Sequence, residues 1–175
     1  MNLPMDLSLN SKIFYPSHGA GWIKEKRTII FNGDAREYID FQFINDSMVI
    51  STPIEKISGL NIRRVINKEA IEDILEDLKN QRIDNHNCKD FTQLAAKLSE
   101  LDYSGKIENF IKIIQYCYFE RDQRLRSVRL VPSSIDKYIK SAVGYLVGEY
   151  AVSANVSIDE SKKFFTEKTG IEINF

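Results

Sequence analysis

With 175 residues, of which 43% are hydrophobic and 11% aromatic, the chain can bury one medium core or two small ones and is not a disordered protein. A formal net charge of −1 gives no global attraction for nucleic acid, so any such contact must come from a local patch. No apolar run approaches the roughly 18 residues of a membrane span, and Met1–Asn10 carries Asp6 without a basic segment, so neither a span nor a signal peptide is expected. Cys88 and Cys117 stand far apart and read as free, buried thiols of a reducing, cytoplasmic compartment.

Residues 1–11 read as an N-terminal extension, and residues 12–66 follow as a series of short strands. Lys12–Tyr15 ends at Pro16, which lacks a backbone donor. In the Pro-Ser-His-Gly-Ala-Gly turn that follows, Gly19 and Gly21 are expected to supply positive φ, and Gly21–Thr28 opens the next strand. Thr28–Phe31 leads into Asn32-Gly33, the strongest short-range hairpin signal. Glu37–Ile44 and Ser47–Thr52 come next, and Pro53 closes that strand. Ile57–Ile62 reads as a bend around Gly59, with a last short strand toward Arg64. Closely spaced strands of this kind predict a small barrel of the SH3 or Tudor type.

At Asn67 the period changes. Asn67 is a good N-cap for a helix Lys68–Asn80, with Ile71, Ile74, Leu75 and Leu78 in one stripe. Gln81–Asn87 is polar and reads as a linker before a second helix, Cys88–Leu101. A third, strongly apolar helix covers about Lys106–Asp122, and Arg121–Arg129 reads as a basic loop or turn. Pro132-Ser133 starts a long helix to about Ser153. Ser157-Ile-Asp-Glu160 is a capping box for a final helix that stops at Gly170. The fold expected is α+β: a β module over 12–66, then an all-α bundle of about five helices over 67–175.

The residues that carry chemistry are few. No phosphate-binding loop, dinucleotide fingerprint, zinc-protease motif or nucleophile elbow occurs, so no catalytic residue is assigned and an enzyme is not expected. Two His and two Cys lack the close pairing of structural zinc sites, so neither metal nor cofactor is expected. Glu149, within an apolar helix face, reads as a structural partner for a basic or hydroxyl group. The window Arg121–Lys140 is the most basic in the chain, with Arg121, Arg124, Arg126, Arg129, Lys137 and Lys140 against Asp122 and Asp136. It reads either as a phosphate-binding surface or as a solvated helix end. The aromatics Phe14, Tyr15, Trp22, Tyr38, Phe41 and Phe43 suffice for the cage of a methyl-reading Tudor module, but alternating aromatics are more often core.

Several of these segments together resemble the CarD/CdnL family, whose small domain is shared with the transcription-repair coupling factor. They are Phe14-Tyr-Pro-Ser-His-Gly-Ala-Gly, Glu37-Tyr38, Met48-Val-Ile-Ser-Thr-Pro53 with Gly59-Leu60, Arg121-Asp-Gln123 and Ala142 to Ala151. The resemblance implies a Tudor-like domain that binds the β subunit of bacterial RNA polymerase by strand addition, at Arg27, Ile29, Ile50, Ser51 and Pro53. It also implies a helical domain on promoter DNA at the upstream edge of the melted region, modulating open-complex stability in a monomer. Asn87, Lys89 and the basic window are then the DNA-contacting set. Relatives carry a Trp wedge where this chain has Asn87, which implies weaker bubble stabilisation here. A protein-binding adaptor without DNA contact is the alternative.

Overall fold

A computed structural model describes residues 7–174, with every side chain in that range except that of Phe31. Strands β1 (Lys12–Tyr15), β2 (Gly19–Phe31), β3 (Asp34–Phe43), β4 (Asp46–Pro53) and β5 (Arg63–Arg64) form one antiparallel sheet in the order β4-β3-β2-β1-β5. A single helical turn, α1 (Ile54–Ile57), lies between β4 and β5. Five helices follow: α2 (Lys68–Asn80), α3 (Phe91–Tyr103), α4 (Ile107–Arg126), α5 (Ser133–Ala154) and α6 (Ile158–Thr169). A β module followed by helices is thus the architecture, and α1 precedes the bend expected around Gly59, which is present as a turn over 58–61.

Turn chemistry explains the sheet. Asn32 (φ 52°) and Gly33 (φ 86°) join β2 to β3 through two left-handed residues, as a two-residue hairpin requires. Before β2 the chain reverses at Ser17 (φ 69°) and Gly19 (φ 93°). Gly21 does not share that role, correcting the sequence expectation. It pairs with Phe43 across the β2–β3 ladder, and a Cβ there would lie 2.0 Å from the carbonyl oxygen of Gln42. Gly21 is therefore a close-approach glycine. A bulge between Ile23 and Glu25 follows, and beyond it the β2–β3 hairpin runs on as an exposed arm.

Two buried clusters result. Ile13, Ile23, Ile39, Phe41 and Phe43 fill the β module, and Leu7 packs with them, so the end of the extension belongs to the module. Asn10 N–H donates to the carbonyl of Ile23 (2.8 Å), and Ile23 N–H donates to that of Ser11 (3.1 Å). Residues 1–6 of the extension lie outside the described residues. The larger cluster is helical, yet includes Phe14 and Ala20 of the sheet, with Trp22 packed against it. Trp22 therefore covers the helical core rather than the interior of the β module. Phe14 reaches between Phe110 and Tyr145, with ring centroids 5.4 and 5.6 Å away.

Polar contacts reinforce this junction. Arg63 grips the fully buried Glu149 through two hydrogen bonds of 2.5 and 2.8 Å, and the Ile66 N–H donates to the same carboxylate at 3.0 Å. Arg63 also donates to the Gly105 carbonyl (2.7 Å) and lies 4.4 Å over the Phe14 ring. The expectation for Glu149 as the partner of a basic group holds, and the partner is Arg63.

Helix ends follow local chemistry where their caps are local. The Asn67 side chain accepts from Ala70 N–H at 2.8 Å, and Ser157 with Glu160 completes a capping box. Gly170, at φ 67°, ends α6. Two boundaries differ from expectation. Helix α3 begins after Asp90, whose side chain caps Gln93 N–H, rather than at Cys88. Helix α4 continues to Arg126, so most of the segment read as a basic loop is helical.

Candidate functional site

Two surfaces hold the residues singled out from sequence, and they sit on different parts of the fold. The first is the rim of the sheet. β4 is a terminal strand, and beyond Ile23 the outer edge of β2 carries no ladder partner among the described residues. These edges carry exposed apolar side chains: Ile30 is 74% and Met48 58% exposed, with Ile29 and Val49 also in solvent. Unpaired apolar edges are templates for another strand, and proteins that do not use them usually blunt them with charge or proline.

Arg27 and Ser51 come together here. Arg27 Nη2 donates to Ser51 Oγ at 2.9 Å, while its Nε lies 3.1 Å from the carboxylate of Asp40. The Arg27 guanidinium is thus tied down along the face of β2, β3 and β4 rather than held out as a free cation. Asp40 itself is buried, and its other oxygen, Oδ1, finds no hydrogen-bond partner among the described residues. Ile29 projects on the exposed arm. Ile50 is half-buried against the β-module core, and Pro53 caps α1, so these two offer backbone position more than side chain. Tyr15, Phe41, Phe43 and His18 pack edge-on or tilted against one another with centroids 4.9–6.0 Å apart, as a filled cluster and not an aromatic cage.

The second surface is the end of the bundle where the loop before α3 meets the end of α4. The segment read as a linker is anchored there. His86 is buried; its Nδ1 accepts from Cys88 N–H (3.0 Å), which leaves the proton on Nε2 to donate to Glu120 (3.0 Å). Lys97 donates to the His86 carbonyl (2.9 Å), and Gln115 to that of Gln81 (2.6 Å). Glu120 also accepts from Arg124 Nε at 2.5 Å. Burial alone would raise the Glu120 pKa, but hydrogen bonds from Arg124 and His86 outweigh it and hold the carboxyl below its ordinary value.

Around this anchor the predicted DNA-contacting residues fall into three groups. Asn87, at φ 54°, and Lys89 are exposed on the loop before α3. Arg121, Arg124 and Arg126 are paired with Asp136 (3.6 Å), Glu120 (2.5 Å) and Asp122 (3.0 Å), so half of the basic window is neutralised within the molecule. Arg124 is the most internal: it stacks 5.1 Å over Phe91 and donates to the Leu130 carbonyl. Arg129 stays exposed in the connection to α5, beside Val128 (94% exposed) and Leu130 (91%). Val128 holds φ 53°, a conformation a β-branched residue rarely adopts. Lys137 and Lys140 lie apart from these, along a cleft with His18 and Tyr145.

The sequence reading missed three features: the Arg63 clamp, the burial of His86, and the exposed apolar connection Val128–Leu130. Only the last had a local signal, an apolar pair among arginines. Among the described residues no group of three or more His, Cys, Asp or Glu is placed to hold a metal ion, and no helix is long and apolar enough to cross a membrane.

Residues 7–66 match the family model of the CarD-like/TRCF RID domain. That span includes all five strands, both free edges and the Arg27–Ser51 pair. Over these residues the chain carries a domain like the RNA polymerase-interacting domain that CarD-like proteins share with the transcription-repair coupling factor, which supports an RNA polymerase-interacting, transcription-related protein.

Proposed function

We propose that the chain is a cytoplasmic, monomeric, non-enzymatic bacterial transcription regulator that docks on the β subunit of RNA polymerase. Docking adds a strand of the polymerase to the β4 edge, with backbone hydrogen bonds supplying affinity and Met48 and Val49 the apolar contact. The observation that carries this reading is an exposed apolar edge lying inside the residues that match the polymerase-interacting domain. The end of the bundle bearing Asn87, Lys89 and Arg129 then rests on promoter DNA near the upstream edge of the bubble and alters open-complex lifetime. Contacts there are phosphate-directed and salt-sensitive.

A competitor-challenge assay on a preformed open complex tests this. Wild-type protein changes the lifetime, and Lys89→Glu with Arg129→Glu removes the change while polymerase binding persists. Asn87→Trp lengthens the lifetime further, even though the left-handed backbone at Asn87 costs a non-glycine, non-Asn residue about 1 kcal/mol. The neutralisation of Arg121, Arg124 and Arg126 favours a second reading, a polymerase-bound adaptor that leaves DNA alone. A promoter footprint unaltered by the protein at low salt would select that reading.

A further inference from the structure

Val128 is the positive-φ residue that folding does not explain. Helix α4 ends in a reversal where the Val128 N–H donates to the Leu125 carbonyl (3.1 Å) and the Arg129 N–H to that of Arg124 (2.8 Å). The left-handed position of such an ending is ordinarily glycine or asparagine, as with Gly170 after α6 and Asn155 after α5. Elsewhere among the described residues, every positive-φ position other than glycine holds Asn or Ser. A β-branched side chain there strains the backbone, and at 94% exposure it gains no packing in return. Leu130, two residues on, is 91% exposed.

The pair is nevertheless held in place. Arg124 Nη1 donates to the Leu130 carbonyl at 3.0 Å, and the same guanidinium stacks on Phe91 and binds Glu120, the partner of His86. Val128 and Leu130 are therefore presented from a backbone anchored to the loop that bears Asn87 and Lys89, with the exposed Arg129 between them. Apolar groups held in this way lose little conformational freedom on contact. The cations beside them suit phosphates, but an aliphatic side chain gains little from a phosphate or from the polar base edges of an intact duplex. It does gain from covering a base or deoxyribose face, which is laid open where the strands part.

Accepting the promoter contact proposed above, on which this rests, we propose that Val128 and Leu130 cover an unstacked base or deoxyribose face at a DNA fork. Arg129 and Lys89 hold neighbouring phosphates, so this end of the bundle prefers forked DNA to intact duplex.

The test is fluorescence anisotropy of the full-length chain at low salt with two labelled DNAs, one an intact duplex and one of the same sequence opened at one end into unpaired strands. Wild type should bind the fork about fivefold or more tighter than the duplex. Val128→Gly with Leu130→Ser should bring fork affinity down to that of the duplex and leave duplex affinity unchanged. Its Tm should stay equal or rise, because glycine takes the left-handed position freely. Lys89→Glu should weaken both DNAs alike and lower the salt slope of both by about 1. Equal binding of fork and duplex by wild type overturns the proposal and leaves the promoter contact standing, whereas binding to neither DNA removes both. A folded double variant that keeps the preference overturns it. Should the double variant not fold, undiminished preference in Leu130→Ser overturns it. Loss of binding to the isolated polymerase β lobe by the folded double variant would make Val128 and Leu130 a protein contact, which also overturns it.

Discussion

Glu149 is the residue whose environment is most demanding. It has no exposed surface, and its charge is met by Arg63 and the Ile66 N–H alone among the described residues. Removing one partner of such a pair strands the other, so Glu149→Ala should cost about 3–5 kcal/mol in urea unfolding. Arg63→Lys should recover little of an Arg63→Ala loss, because an ammonium cannot reproduce the two-pronged grip. That an acid in the middle of α5 needed a basic or hydroxyl partner was legible from the sequence. Which partner was not, since Arg63 lies 86 positions earlier and only the docking of β5 on α5 brings it close. Cys117 gives a simpler expectation: burial, then the nearby Asp136 and Glu120 carboxylates, push its thiol up to about 12. In native protein at pH 8, Ellman's reagent should label the half-buried Cys88 and reach Cys117 only after denaturant is added.

At the scale of elements, the network of Glu120, His86 and Arg124 fastens the loop before α3 to the end of α4. Because the Glu120 carboxyl is held below its ordinary 4.5 in the folded state, its contribution is complete above that value. The contribution is lost as pH falls through the lowered folded value. Arg124→Ala should therefore flatten the stability profile on the acid side, measured by urea midpoints between pH 6 and pH 3, and release the segment bearing Asn87 to faster amide exchange. Helix α2 was readable to the residue because its cap is local; Asn67→Ala should lose about 1 kcal/mol. The start of α3 was not, because His86 and the residues around it are ordered by side chains of α4 rather than by their own sequence. Gly21 makes the same point within the sheet: a turn residue and a close-approach residue look alike until β3 is alongside. Gly21→Ala should fail to give soluble folded protein, since its Cβ would meet backbone at 2.0 Å and neither strand can yield cheaply.

Considered whole, the molecule separates an apolar, hydrogen-bonding edge at one place from a thin display of positive charge at another, with the Arg63–Glu149 clamp between them. The switch from strands to helices at Asn67 was visible in the period of the apolar residues. The breadth of the contact across that switch was not, because Phe14, Ala20 and Trp22 read as ordinary strand residues and reach the helical core only through tertiary packing. Charge counting likewise gave six basic residues between Arg121 and Lys140, and only the ion pairs reveal that three are neutralised. The proposed docking depends most on the β4 edge, and binding of the purified full-length chain to the isolated β lobe of a bacterial RNA polymerase tests it directly. Wild type should bind saturably at low salt, and Val49→Pro, which removes a backbone donor from β4, should weaken binding by about tenfold or more at unchanged Tm. No binding by the wild type, or equal binding by a folded Val49→Pro, would contradict it.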